Sequence, residues 1–170
     1  MKTAVMDASS SILLYKSGMV THFLRHYKTR MVRSALEEIM KKGYPGFEAF
    51  SRFVNQNRIH PLEISEGSSP LSGKLAKLDQ GERDTIHAYL QGNGHFVVID
   101  DGQGAGFCRK HHIPYINALL VPRILFESGK MSHDLFEAAF SRITKIGRYT
   151  PQIIDYARNC PQADLDCFEP

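Results

Sequence analysis

A chain of 170 residues, 42% apolar and 23% charged, has the size and composition of one globular domain. Folding at that length removes about 70% of the open chain's surface, so neither a metal nor a disulfide is needed to hold it together and any metal would serve chemistry. No apolar run approaches the roughly 20 residues that span a bilayer, and the start reaches Asp7 before a signal-like segment develops, so a cytoplasmic protein with no membrane partner is expected.

Residues 3–6 are a short apolar strand that ends at Asp7, followed by three serines suited to a helix start. Met19, Val20, Phe23, Leu24 and Tyr27 recur at helical spacing. Residues 30–32 read as a second short strand leading into a helix over 34–40 that stops near Gly43. Phe47, Phe50, Phe53 and Val54 mark another amphipathic helix, and 58–64 is a weaker extended stretch interrupted by Pro61. Residues 79–90 are helical again, closed by Gly92 and Gly94. Phe96-Val97-Val98-Ile99, apolar and rich in β-branched types, is the pattern of a strand buried on both faces, and it ends on Asp100-Asp101. Residues 113–116 form a further strand, and 120–126, 135–143 and 151–157 form helices, the last opened by a Thr150 cap and a first-turn proline. No repeat or linker divides the chain, so residues 1–160 form one domain. The stretch 161–170, with Asp164, Asp166 and Glu169 and no basic residue, reads as a frayed acidic tail.

Strands alternating with helices predict an α/β fold with a central parallel sheet covered on both faces. Reactive groups in such sheets gather at the carboxyl ends of the strands, where Asp7 and the pair Asp100-Asp101 fall. Carboxylates converging in one cleft raise one another's pKa unless a cation sits among them. Hard oxygen ligands without His or Cys companions suit Mg²⁺ or Mn²⁺, which draws its remaining ligands from water and phosphate. The chemistry implied is metal-assisted hydrolysis of a phosphodiester.

Four segments, in order from Asp7 to Asp101, resemble the PIN-domain family. Asp7-Ala8-Ser9 is similar to the family's opening motif, an Asp followed two positions later by Ser, Thr or Asn. Ala35-Leu36-Glu37-Glu38-Ile39 is similar to its acidic motif on the helix after strand two. Leu78-Asp79-Gln80-Gly81-Glu82 resembles the helix start of one bacterial branch, and Val97-Val98-Ile99-Asp100-Asp101 its final acidic strand end. The resemblance implies a three-layer α/β/α fold and a Mg²⁺- or Mn²⁺-dependent endoribonuclease acting on single-stranded or structured RNA, as in VapC-type toxins. Carried over position by position, Asp7, Glu38, Glu82 and Asp101 are the metal-binding acids, with Asp100 the substitute for its neighbour, and Ser9 orients Asp7 or a metal-bound water. The resemblance also implies a homodimer and a small antitoxin protein that blocks the cleft.

Ser34-x-x-Glu37 has capping-box spacing, which gives Glu37 a structural job and leaves Glu38 to face the cleft. Asp79-x-x-Glu82 has the spacing of a helix cap as well, so Glu82 is cap or ligand. Asp84, roughly 200° further round the helix, is the alternative acid. After Asp101 the chain departs from the family: Gly102-Gln103-Gly104-Ala105-Gly106 stands where relatives carry basic residues, and the first bases are Arg109 and Lys110.

The charge is unevenly spread, residues 1–60 holding ten Lys/Arg against four Asp/Glu and residues 61–170 eleven against fourteen. Arg25, Lys28, Arg30 and Arg33 around Tyr27 suggest a phosphate-neutralising cluster with a stacking ring, against the plainer reading of a solvated helix end. The glycine run suggests a phosphate-cradling turn, but Phe107 stands where the third glycine of GxGxxG belongs and two acids precede it. His22 and His26, four apart, and His111-His112 suggest Zn²⁺, yet neither pair has a nearby Cys or GluxxHis companion. Cys108, Cys160 and Cys167 are odd in number, lack CxxC pairing and read as reduced thiols, Cys108 as a small buried residue. The non-enzymatic alternative is a catalytically degenerate relative that binds RNA or a protein and cleaves nothing.

Overall fold

The computed structural model describes residues 1–44, 46–65 and 71–170. Among them, β1 (Thr3–Met6), β2 (Lys28–Val32), β3 (Ile59–Leu62), β4 (Phe96–Val98) and β5 (Tyr115–Ile116) form a parallel sheet in the order β3-β2-β1-β4-β5. Val5 lies opposite Arg30 on one side and Val97 on the other. The order reverses at β1, because the chain first runs outward through β2 and β3 and then returns to place β4 on the far side. Such a switch point opens a crevice at the carboxyl ends of the two central strands. Pro61 lies in β3 at the sheet edge, where a missing N–H costs no ladder bond.

The helices are α1 (Ala8–Lys16), α2 (Val20–His26), α3 (Arg33–Ile39), α4 (Phe47–Asn55), α5 (Ser72–Leu75), α6 (Gln80–Leu90), α7 (Gly102–Lys110), α8 (Leu120–Glu127), α9 (His133–Ile146) and α10 (Pro151–Asn159). The pleat of β4 sorts its side chains between two layers. Phe96 and Val98 join the larger core with Phe23, Phe50 and Phe140. Val97 and the following Ile99 pack with Leu75, Ile86 and Cys108 from α5, α6 and α7. All four are fully buried, each contributing about 1.5–3 kcal/mol of apolar burial. The result is the three-layer α/β/α arrangement expected from the sequence.

Two expectations, the frayed tail and the Ser34–Glu37 capping box, are corrected, and two weaker alternatives, the phosphate loop and the basic cluster, fail. The glycine run forms no phosphate loop: it is the start of α7, which Asp101 caps by accepting from the Gln103 N–H at 2.7 Å. The frayed tail is packed: Leu165 and Phe168 are buried in the main core, the Tyr27 hydroxyl donates to the Phe168 carbonyl at 2.7 Å, and the Phe168 ring meets Phe96 edge-on. The basic cluster is dispersed, because Lys28 opens β2 and Arg33 lies beyond its end. Tyr27 is buried, Arg30 donates to Asn93 and Arg33 pairs with Glu63. The Ser34–Glu37 capping box does not form, since α3 starts at Arg33, two residues earlier than that spacing requires. The Ser34 hydroxyl instead donates to Asp84 on α6 at 2.7 Å.

Candidate active site

Asp7 leaves β1 at the crevice, and its N–H donates to the Val98 carbonyl at 3.1 Å, tying the ends of the two central strands together. Its carboxylate caps α1, accepting from the Ser10 N–H at 2.8 Å and from the Ser9 hydroxyl at 2.6 Å. Ser9 thus orients Asp7, one of the two roles expected of it. Asp7, Ser9, Glu38, Asp79, Glu82 and Asp101 line one pocket of about 120 Å³. The four expected acids come from four different elements: the end of β1, α3, α6 and the strand end before α7.

Two of them lie deep and two at the rim. Asp7 is 3% exposed and Glu82 8%, whereas Glu38 and Asp101 are exposed. Burial is the main reason that Asp7 is pushed up to about 7, the Ser10 and Ser9 hydrogen bonds pulling the other way and the Asp100 charge adding to the rise. Burial likewise pushes Glu82 up to about 8, reinforced by a proton-sharing contact with Asp101 and by the Asp101 and Asp7 charges, and opposed by the Asp79 backbone N–H. That N–H contact is the half of a capping box a Glu at the third helical position makes. The Asp79 side chain itself makes no capping bond. Glu82 Oε1 is buried with no hydrogen-bond partner among the described residues.

Glu82 lines the pocket, whereas Asp84 turns away to Ser34. That bond joins α3 to α6 and so relates Glu38 to Glu82. Glu38 leans over Gly81, whose absent Cβ would lie 3.7 Å from Glu38 Oε2. Asp100 is kept out of the pocket: Oδ2 accepts from the Ala118 N–H at 2.9 Å and Oδ1 from the Tyr149 hydroxyl. Burial raises the pKa of Asp100 and those two donors lower it. Sequence reasoning missed Tyr149, which no local motif marks, and it noticed Gly104 for the wrong reason. A Cβ at Gly104 would stand 2.3 Å from Ile99 Cδ1 and 2.9 Å from Glu82 Oε1, so only glycine lets α7 approach the acidic pocket.

Among the described residues no group of three or more His, Cys, Asp or Glu side chains stands as a ready-made metal cage, and the His22/His26 and His111/His112 pairs gain no companions. The acidic pocket nonetheless fits a hard cation chemically. Its donors are all oxygen, one buried carboxylate oxygen lacks a partner, and burial raises two of its carboxyls, Asp7 to about 7 and Glu82 to about 8, a rise that a cation among them would offset.

Fold and site together define an α/β/α domain that gathers carboxyl groups at the switch point of its sheet. The chain belongs to the family described as a PIN domain (DUF3368), which it matches over residues 3–154. PIN domains are commonly nucleases. Among solved structures, a PilT N-terminus domain protein, SSO1118, from the hyperthermophilic archaeon Sulfolobus solfataricus P2 is similar at 12% identity and a TM-score of 0.43, over 87% of this chain and 98% of that one. No curated protein matches the sequence. Among the described residues no helix is long and apolar enough to cross a membrane.

Proposed function

We propose that this chain is an endoribonuclease that hydrolyses RNA phosphodiester bonds at the acidic pocket with Mg²⁺ or Mn²⁺. The observation that carries the reading is the partnerless buried oxygen of Glu82 beside Asp7, Glu38 and Asp101. Burying two of these carboxyls, Asp7 and Glu82, with so few donors is costly unless the site takes up positive charge. Asp7, Glu38, Glu82 and Asp101 would hold the ion. When bound, such an ion acts as a Lewis acid that activates water and polarises a phosphodiester.

The chain's own residues prepare the site. Ser9 and Ser10 fix the Asp7 carboxylate, the Gln103 N–H fixes Asp101, and Tyr149 with Ala118 keeps Asp100 from crowding the pocket. Asp7 and Glu82 would be the buried carboxylates that face a bound ion, in their ionised form. The family resemblance extends the proposal to a homodimer silenced by a small antitoxin that covers the pocket.

The test is cleavage of a labelled RNA with Mg²⁺ or Mn²⁺ against EDTA, repeated with Asp7→Asn. Cleavage is expected only with metal and only with Asp7. Cleavage that survives both treatments would eliminate the metal mechanism, and tight, salt-sensitive RNA binding without product would leave a binding module instead.

A further inference from the structure

A pocket of carboxyl groups repels a polyanion unless a cation stands at its mouth. A second cavity of about 490 Å³ opens from the acidic pocket, sharing Ser9, Glu38 and Asp101 with it, and is walled on the far side by the turn after α9, Gly147-Arg148-Tyr149. Among the described residues that line these two cavities, Arg148 is the one cation. It is exposed.

The turn that carries it is fixed from two sides. Tyr149 donates to Asp100, whose other oxygen is held by Ala118. Gly147 leaves room for the phenol, since a Cβ there would fall 2.2 Å from Tyr149 Cε2. The backbone of Arg148 is therefore held at the acidic mouth by its neighbours, and its exposed side chain can reach across it. Beyond it a third cavity, of about 710 Å³, shares Asp100, Gly102, Arg148 and Tyr149 and runs on along the edge of the sheet to Arg109, Tyr115 and Tyr156. The Tyr156 hydroxyl is anchored to Asp164 at 2.9 Å while the residue stays 49% exposed. A trench lined by Arg148 and Arg109, with Asp100 held by Tyr149 and Ala118, Asp164 held by Tyr156, and the Tyr115 and Tyr156 rings among them, matches the backbone and bases of an unpaired strand, and a duplex offers no base face to such rings.

The geometry points to Arg148 as the residue that binds the phosphate beside the scissile one, with the trench towards Tyr115 and Tyr156 carrying the single-stranded RNA on that side. The assignment rests on the ribonuclease reading of the acidic pocket. It also supplies, from a distant turn, the positive charge that the glycine run after Asp101 leaves out.

The test is binding of a fluorescein-labelled single-stranded RNA by the full chain in EDTA across a salt series, for wild type, Arg148→Ala, Arg148→Lys and Tyr156→Ala, with thermal unfolding as the folding check. Arg148→Ala is expected to weaken binding about fivefold or more and to reduce the slope of log K against log salt by about 0.7, the share of one phosphate contact on a single strand. Arg148→Lys is expected to restore the slope, and Tyr156→Ala to weaken binding at unchanged slope. Wild-type affinity and slope in a folded Arg148→Ala protein overturn the assignment, as does tighter binding of duplex than of single strand. Metal-dependent cleavage unaffected by Arg148→Ala removes the assignment and leaves the nuclease. Arg148-dependent binding that yields no product with Mg²⁺ or Mn²⁺ removes the nuclease and keeps the trench.

Discussion

Asp7 and Glu82 make folding depend on pH in a direction opposite to that of salt-bridged carboxylates. In the unfolded chain both ionise near about pH 4, whereas the folded chain holds their protons up to about 7 and about 8. Across that window the folded state binds more protons at these two groups than the unfolded one, so their contribution to stability is full below about pH 4 and falls as pH rises towards 8. In EDTA, thermal unfolding is expected to drop by about 4 °C or more between about pH 5 and pH 8, which corresponds to only 1–2 kcal/mol at this chain length. Mn²⁺ is expected to raise the midpoint at about pH 8, where carboxylate charge is what folding opposes, and to do little at about pH 5, where protons already occupy the acids. Asp7→Asn keeps an oxygen to accept from Ser10 and removes the charge, so it is expected to reduce the pH dependence to the share of Glu82 while abolishing cleavage. A midpoint that climbs from pH 5 to pH 8 in EDTA would show that these acids are ionised and paired in the folded chain.

At the scale of elements, legibility follows local pattern. β1, β4, α6 and α10 were legible because apolar runs, helical spacing and the Thr150-Pro151 start carry their own signals. α7 was not, because three glycines in its first five residues argue against a helix, and what outweighs them is a local Asp101 cap at one end together with the tertiary packing of fully buried Cys108 near the other. The glycines are unequal. At Gly106 a Cβ would meet nothing within 4 Å, so Gly106→Ala is expected to stabilise by about 0.5–1 kcal/mol through helix propensity alone. Gly104→Ala drives a methyl into Ile99 and Glu82 and is expected to cost about 1–3 kcal/mol. Because Glu82 must move to admit it, Gly104→Ala is also expected to lower cleavage at temperatures where the protein is fully folded. Denaturant unfolding of the two variants side by side checks the contrast, and equal effects would mean that α7 does not press on the pocket.

At the scale of the whole molecule, the four acids were legible because each sits in a short motif at a predictable strand or helix end. The contacts that complete the surroundings were not, because they join residues far apart: Tyr149 to Asp100, 49 positions away, and Tyr27 to Phe168, 141 positions away. The second of these decides what the C-terminal stretch does. Composition alone makes 162–170 look like solvent-exposed acid, but its turns Gln162–Asp164 and Asp166–Phe168 bury Leu165 and Phe168 against the core and bring the Asp166 carbonyl to Lys2 Nζ at 3.3 Å. Two buried apolar side chains contribute about 1.5–3 kcal/mol each, and at this length each kcal/mol moves the unfolding midpoint by about 2–4 °C. Deleting residues 162–170 is therefore expected to lower the midpoint by about 10 °C. The deleted stretch packs on Tyr27 and Phe96, away from the acidic pocket, but its Asp164, Leu165 and Phe168 line the cavity of the trench, and Asp164 anchors the Tyr156 hydroxyl. Below its new midpoint the truncated protein is therefore expected to bind single-stranded RNA less tightly than the full chain. An unchanged midpoint would return the stretch to a frayed tail, and a gain in RNA affinity would mean that its acids compete with the nucleic acid for the trench.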